Sequence, residues 1–394
     1  MHHNTLARST IAHMQASKIR EVANLGMGQA GLQAFWFGEP DTVTPADICA
    51  VGIASIQAGE TFYAQNLGIP VLREALAHYT THWHQACTPN NIAVTNSGMN
   101  AIALTQQALL DPGDRVVVVT PVWPNLTEGP KILGAQVHTV ALDFTAQGWQ
   151  LDVHKLIDAL RPGTRMLIVN SPNNPTGWTM TRADQQVVLA HCRQHGIWIL
   201  ADDAYERLYF DGEPGQIVAP CFQDIAQAGE RLVSVNTFSK AWQMTGWRLG
   251  WITAPTSLMD ALGKLIEFNT SSTPVFVQRA GVYAVHQGEP IVASFVSRLK
   301  ASRDFLLPRL NALPGVVALA PPGAMYAFFK VQGITDSLAF CKTLVSQHGL
   351  GLAPGAAFGD QGEGFVRWCF AASQDKLAQG LQRLEKGLSQ QAQH

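Results

Sequence analysis

Between about residue 92 and residue 255 the chain switches repeatedly between short apolar runs and stretches of helical spacing, and few architectures accept that alternation. Residues 92–96, 115–120, 166–170, 197–202, 232–237 and 249–253 are the apolar runs, several of them rich in Val and Ile. Residues 99–110, 151–160 and 181–195 carry apolar side chains at helical intervals. Thr181, with Asp184 three positions on, forms a capping pair for the last of these. A strand that is apolar at every position must be covered on both faces. The pattern therefore predicts an α/β fold, with a mostly parallel sheet between two layers of helices. In such a sheet the loops after the carboxyl ends of the strands line a crevice, so polar residues there are the first candidates for chemistry.

At 394 residues the chain is longer than one hydrophobic core sustains. Residues 285–312 read as one long helix, with Ile291, Phe295, Leu299, Phe305, Leu306 and Leu310 at helical spacing. Residues 323–330 read as a strand that opens an α+β region. We expect residues 1–47 to join a smaller α+β domain, 48–285 to form a large cofactor-binding domain, and 286–394 to complete the smaller domain with its connecting helix. Only 14% of residues are charged against 47% hydrophobic, which implies extensive burial and a large subunit interface. A formal charge of −2 offers no footprint for nucleic acid or an anionic membrane. No apolar run reaches the roughly 18 residues of a membrane helix. The six cysteines lack paired spacing, as expected in a reducing compartment. Arg8, Lys18 and Arg20, with no acid among the first 20 residues, raise the question of an organelle transit peptide. The same stretch reads as an amphipathic helix with Leu6, Ile11, Met14 and Ile19 on one face, and a cytoplasmic protein is expected.

Lys240, in Thr237-Phe238-Ser239-Lys240, is followed eight residues later by Arg248 in Gly246-Trp247-Arg248-Leu249-Gly250. An imine-forming amine and a guanidinium at a fixed remove, ready for a phosphate, are what pyridoxal-phosphate chemistry requires. Asp202 and Tyr205 stand at the end of an apolar run. A carboxylate there suits a protonated ring nitrogen and a phenol suits the ring oxygen, although Asp202 or Asp203 could equally cap a helix. Asn174 lies in Asn170-Ser171-Pro172-Asn173-Asn174-Pro175-Thr176-Gly177, a loop stiffened by two prolines. Thr95-Asn96-Ser97-Gly98-Met99-Asn100 passes from strand to helix. Glycine there admits close approach and free N–H groups favour a phosphate, though an ordinary N-cap accounts for the pattern as well. Trp123 follows the 115–120 run and either stacks on a flat ring or fills the core. Arg367, between apolar neighbours, needs a partner, and its forked geometry suits a substrate carboxylate.

Together these segments resemble the class I/II pyridoxal-phosphate-dependent aminotransferases of fold type I. The likeness runs from Gly38-Glu39-Pro40-Asp41 to Arg367, with the Asn-Pro-x-Gly loop, the Asp-x-x-Tyr strand end and the Ser-Lys followed by Gly-x-Arg-x-Gly in the family's order. The resemblance implies that Lys240 is the Schiff-base lysine and that Ser97, Gly98, Met99, Thr237, Ser239 and Arg248 hold the phosphate. It implies that Asp202 meets the pyridine nitrogen, Tyr205 and Asn174 the ring oxygen, and Trp123 the ring face, while Arg367 takes the α-carboxylate. Tyr63, in Phe62-Tyr63-Ala64-Gln65-Asn66-Leu67-Gly68, looks like the tyrosine that reaches the neighbouring subunit's phosphate, which implies a homodimer with shared sites. Phe37 and Gly38 would lie beside the substrate, which favours neutral or aromatic L-amino acid donors, with aspartate still open, and a 2-oxo acid as acceptor. Two positions depart from the commonest pattern: Trp123 where many members carry tyrosine, and Thr237 where serine is commoner.

Other reactions suit the same residues. A β-carbon–sulfur lyase keeps every motif, whereas Arg367 argues against a decarboxylase. A non-enzymatic cofactor-binding regulator is disfavoured by the neutral charge and the short segment before Gly38. A nicotinamide dehydrogenase would rest on Gly26-Met27-Gly28-Gln29-Ala30-Gly31, which matches a dinucleotide fingerprint but follows a helical stretch, not a strand. His78, His82 and His84, like His191 and His195, have helical metal-ligand spacing without an adjacent acid, and are expected on solvated faces, with no metal bound.

Overall fold

Alternate side chains of the central strands feed two different cores, which is why those strands are apolar throughout. The computed structural model describes residues 7–212 and 218–391. Seven strands form the main sheet: β1 (Ile92–Thr95), β2 (Arg115–Thr120), β3 (Gln136–Ala141), β4 (Thr164–Asn170), β5 (Trp198–Asp202), β6 (Leu232–Thr237) and β7 (Gly250–Thr253). Their order is β1-β7-β6-β5-β4-β2-β3. All neighbouring pairs are parallel except those of β7, which runs antiparallel to both β1 and β6. Val116, Val118, Met166, Ile168, Leu200, Val233 and Val235 pack on one face with helices Gly98–Leu109 and Met259–Asn269. Val117, Val119, Leu167, Val169, Ile199 and Ala201 pack on the other with Val153–Ala159 and Arg182–His195. Each such Val or Leu contributes about 1.5–3 kcal/mol on burial, so both helical layers are held by the same few strands.

The expected α/β architecture is present. A second sheet of four strands includes β8 (Tyr326–Val331) and β9 (Phe365–Cys369), which are antiparallel. The short strand Gln33–Ala34 pairs with Leu350–Gly351 and so ties the N-terminal segment to the C-terminal region. Thr181 caps helix Arg182–His195 through the Asp184 N–H, as its spacing suggests.

Three expectations need correction. The long helix expected over 285–312 is present as Glu289–Asn311 but starts later, because residues 285–287 close a separate helix, Val275–Gln287, parted from it at Gly288. Pro290 sits in the first turn of Glu289–Asn311, where its missing N–H costs nothing. The single amphipathic helix near the N-terminus is a four-residue turn, Ser9–Ala12, and a separate helix, Lys18–Gly26, whose Ser17 caps it through the Arg20 N–H. Ile11 is exposed and Ile19 buried, so they share no face, and Leu6 lies outside the described residues. His78 and His82 are solvated as expected, but His84 ends helix Pro70–Trp83 and turns inward onto Glu206 and Asp224. His191 is half-buried, with Nε2 on the Leu160 carbonyl, while His195 is exposed.

Candidate active site

Register brings the polar strand ends together. Asn170 on β4 stands opposite Asp202 on β5, and Asp202 opposite Val235 on β6. Thr237 at the end of β6 pairs with Gly250 at the start of the reversed β7, which pairs in turn with Thr95. A cleft of about 530 Å³ opens over this row. Its lining includes Phe37, Gly38, Gly98, Met99, Trp123, Asn174, Asp202, Tyr205, Thr237, Ser239, Lys240, Arg248 and Arg367, so thirteen of the fifteen residues singled out from sequence converge on one space.

The other two stand apart from it. Ser97 is buried and spends its hydroxyl on the Asn100 N–H as helix cap. That leaves the N–H groups of Gly98 and Met99 without an intrahelical acceptor. Ser97 also holds φ at +134°, a region that favours glycine and that persists where surroundings enforce it. Tyr63 is 91% exposed and does not line this cleft.

Lys240 Nζ donates to the Gly38 carbonyl at 2.6 Å and lies 5.6 Å from the centre of the Tyr205 ring. Burial brings its amine down to about 8, opposed by Cys369 and Glu39 but reinforced by the cations of Arg367 and Arg248. Asp202 is 5% exposed, and its carboxylate accepts from the Ala204 N–H at 3.3 Å. Burial pushes that carboxyl up to about 6, against the pull of the Ala204 N–H and Lys240. Tyr205 exchanges a hydrogen bond of 2.7 Å with Tyr326, and burial followed by Tyr326 itself holds its phenol well above the ordinary value.

Arg367 is 2% exposed. It donates to Asn174 Oδ1 at 2.8 Å and to the Trp36 carbonyl, and its guanidinium lies 4.5 Å from the centre of the Tyr326 ring. Nε has no partner, and no acid lies within ion-pair distance among the described residues. A buried guanidinium in that state is ready for a carboxylate. With Asn174 Oδ1 committed to Arg367, its amide N–H₂ is free to donate into the cleft.

On the other flank Thr237 Oγ1 receives the Ser239 N–H at 3.1 Å and meets Ser239 Oγ at 3.0 Å. Arg248 adopts φ +55° and donates to the Thr245 carbonyl at 2.8 Å. Two glycines are dictated by close approach. A Cβ on Gly250 would fall 2.5 Å from the Gly98 nitrogen, and one on Gly38 would fall 2.0 Å from the Tyr326 hydroxyl. The residues present fit a flat, phosphate-bearing cofactor: helix N–H groups, two hydroxyls and a guanidinium at one end, and a buried carboxylate and phenol at the other.

Two cleft residues escaped the sequence reading. Tyr326 sits in an apolar strand, and its only signal was a hydroxyl in an otherwise greasy run. Arg20 projects from helix Lys18–Gly26 to line the cleft, 4.6 Å from the centre of the Phe37 ring, with no acidic partner among the described residues. Nothing in its spacing distinguished it from a solvated helix charge.

Residues 29–384 match the family model described as "Aminotransferase class I and II". The aspartate aminotransferases of Thermotoga maritima and Pyrococcus horikoshii are 32% and 30% identical to this chain, covering 89% and 95% of it and 90% and 95% of their own lengths. Among solved structures, an aspartate aminotransferase of Thermus thermophilus superposes with a TM-score of 0.87 at 30% identity, over 97% of this chain and 99% of its own. The aromatic aminotransferase of Pyrococcus horikoshii gives 0.86 at 27%, over 95% and 99%. With fold, motif order and cleft in agreement, this chain belongs to the class I and II aminotransferases, enzymes that transfer amino groups with pyridoxal phosphate.

Proposed function

We propose that this aminotransferase takes an acidic L-amino acid as one of its two amino-group carriers, with Arg20 meeting the side-chain carboxylate and Arg367 the α-carboxylate. The observation that carries the reading is Arg20 at the cleft, stacked on Phe37 and without an acidic partner among the described residues. Arg20 is exposed, so by itself it favours an anionic group by no more than about 1 kcal/mol, and by more once a substrate fills the cleft and displaces water. Relatives named aspartate aminotransferase lend it support.

Bound pyridoxal phosphate supplies an aldehyde carbon and a ring that withdraws electrons. Within this proposal the chain does the rest. Gly98 and Met99 N–H groups, Thr237, Ser239 and Arg248 seat the phosphate, with Ser97 holding the turn. Asp202 keeps the ring nitrogen protonated, and Tyr205 and the Asn174 amide donate to the ring oxygen. Trp123 covers the ring face. Arg367 would fix the substrate so that its Cα–H points at Lys240, and Lys240 Nζ, about half of it free of its proton at pH 8, would take that proton as general base. Tyr63, fully out in solvent here, would complete the phosphate site of a second copy in a homodimer. The division at residues 47 and 285 and a cytoplasmic setting belong to the same proposal, the latter supported by six free cysteines.

A second reading has an observation of its own. Phe37, Trp123 and Tyr326 line the cleft, and one relative is the aromatic-amino-acid aminotransferase 2 of Thermococcus litoralis, so aromatic donors fit the same walls. A donor panel on wild type and Arg20→Leu separates the two. Aspartate or glutamate should lose roughly 10–100-fold in kcat/KM with Arg20→Leu while phenylalanine and tyrosine do not. If wild type transaminates only aromatic donors, or if Arg20→Leu leaves the acids untouched, the acidic reading fails. Release of pyruvate and ammonia without a new amino acid would mark a β-lyase instead.

A further inference from the structure

Immediately after Tyr205 the chain enters a second cluster of reactive side chains, outside the cleft and unused by the chemistry above. His84 follows helix Pro70–Trp83, Glu206 follows β5, and Cys221 and Asp224 bracket the turn Phe222–Asp224. The side chains of His84 and Glu206 are 2% and 4% exposed, and Cys221 is buried. Ligand atoms of His84, Glu206 and Cys221 all lie within 4.8 Å of one another.

We propose that His84 Nδ1, Cys221 Sγ and Asp224 Oδ1 form the inner ligands of a borderline-soft divalent cation such as zinc, with Glu206 as the outer carboxylate on His84 Nε2. Donors about 2.0–2.3 Å from a tetrahedral ion lie roughly 3.3–3.5 Å from one another. Nδ1 and Sγ are 3.3 Å apart, and Sγ and Oδ1 3.7 Å. Nδ1 and Oδ1, at 2.6 Å, are bridged by a proton, and the gap widens by about 0.7 Å when an ion takes its place. Glu206 Oε2 is 3.2 Å from Nε2. That is the carboxylate–histidine–metal arrangement which fixes the ring and raises its basicity. Asp224 Oδ2 is already held by Arg182 and by the Cys221 N–H, so Oδ1 is left for the ion.

Charge also balances. Entry of one M²⁺ releases two protons, one from Nδ1 of the imidazolium and one from the thiol, and the net charge of the buried group is unchanged. A thiolate, an imidazole and a carboxylate select zinc or cobalt over magnesium or calcium, and a water would have to supply the fourth ligand. The ion would pin the end of helix Pro70–Trp83 to the segments that follow Asp202 and Tyr205.

The test is Co²⁺ titration of chelator-dialysed holoenzyme, read as a difference spectrum, with zinc equilibrium dialysis alongside. The proposal expects one ion per chain, ligand-field bands at longer wavelength than the cofactor absorbs, a thiolate-to-cobalt charge-transfer band, and a higher melting temperature with zinc. Cys221→Ser should remove the charge-transfer band, and Glu206→Gln should weaken binding roughly 10–100-fold. Wild type without saturable binding, or with a spectrum lacking the thiolate band, would mean that a proton alone bridges His84 and its carboxylates, and would overturn the proposal. So would full binding retained in both Cys221→Ser and His84→Gln.

Discussion

Lys240→Met in the cofactor-free protein isolates the cost of burying an amine. Lys240 gives up its proton at about 8, mainly because burial disfavours the charged form, against an ordinary value of 10.5. At about 1.4 kcal/mol per tenfold change in acidity, holding that ammonium in the fold costs about 3 kcal/mol at pH 7. The sign follows from proton counting. Between about 8 and 10.5 the unfolded chain binds the proton that the folded chain has lost, so stability rises with pH across that window. By pH 10 the cost has fallen below about 1 kcal/mol. Methionine has no such proton. The stability of Lys240→Met minus that of wild type should therefore shrink by about 2.5 kcal/mol from pH 7 to pH 10. Loss of the Nζ–Gly38 hydrogen bond offsets the absolute gain by about 1 kcal/mol but leaves the pH dependence intact. Urea unfolding of both proteins at equal concentration, followed by tryptophan fluorescence, reads the difference, and groups that titrate in this range without feeling Lys240 cancel, whereas Cys369 feels its charge. A difference that stays flat from pH 7 to pH 10 would refute the reasoning that desolvation sets the basicity of this lysine.

Asp202→Asn should lower turnover by several orders of magnitude while the cofactor-free protein unfolds no more easily at pH 7. Burial holds the native carboxyl near 6, above its ordinary 3.8, so its ionised form is a burden lost as pH falls through that range; normal turnover would exclude the role. Arg367→Lys keeps the charge but not the fork, and should raise KM for every donor while kcat/KM falls by roughly 10²-fold. Steady-state kinetics that separate the two constants check it, and an unchanged KM would remove Arg367 from carboxylate binding.

How much could be read in advance depended on burial from both sides. β2 and β6 were legible to the residue because Val116–Val119 and Leu232–Val235 meet helices on each face. β3, at the sheet edge, reads Gln136-Val137-His138-Thr139-Val140-Ala141 and is solvated along part of its length, so its apolar signal is diluted and it went unnoticed. Gly288 and Pro290 carried the information that parts the long helix from the one before it, but the apolar rhythm runs across them and masks the break. The cofactor-facing residues were visible because strand ends concentrate polar side chains in a buried neighbourhood. Arg20 and His84 were not, for opposite reasons. Arg20 looks like any surface charge until the helix carrying it is laid against the cleft. His84 lacks an acid nearby in sequence because its acids arrive from residues 206 and 224.

Because β7 runs back alongside β6, Thr237 and Gly250 are cross-strand neighbours, and residues 238–249 make a noose tied at its neck. Lys240 and Arg248 both hang on it. A parallel connection would route the chain through a helix whose length can absorb an added residue, but this one has no such slack. Lengthening the noose by one position would re-space amine and guanidinium at once. The grip on the vitamin is a local object, one short excursion of backbone, and a designer could transplant it as a single piece.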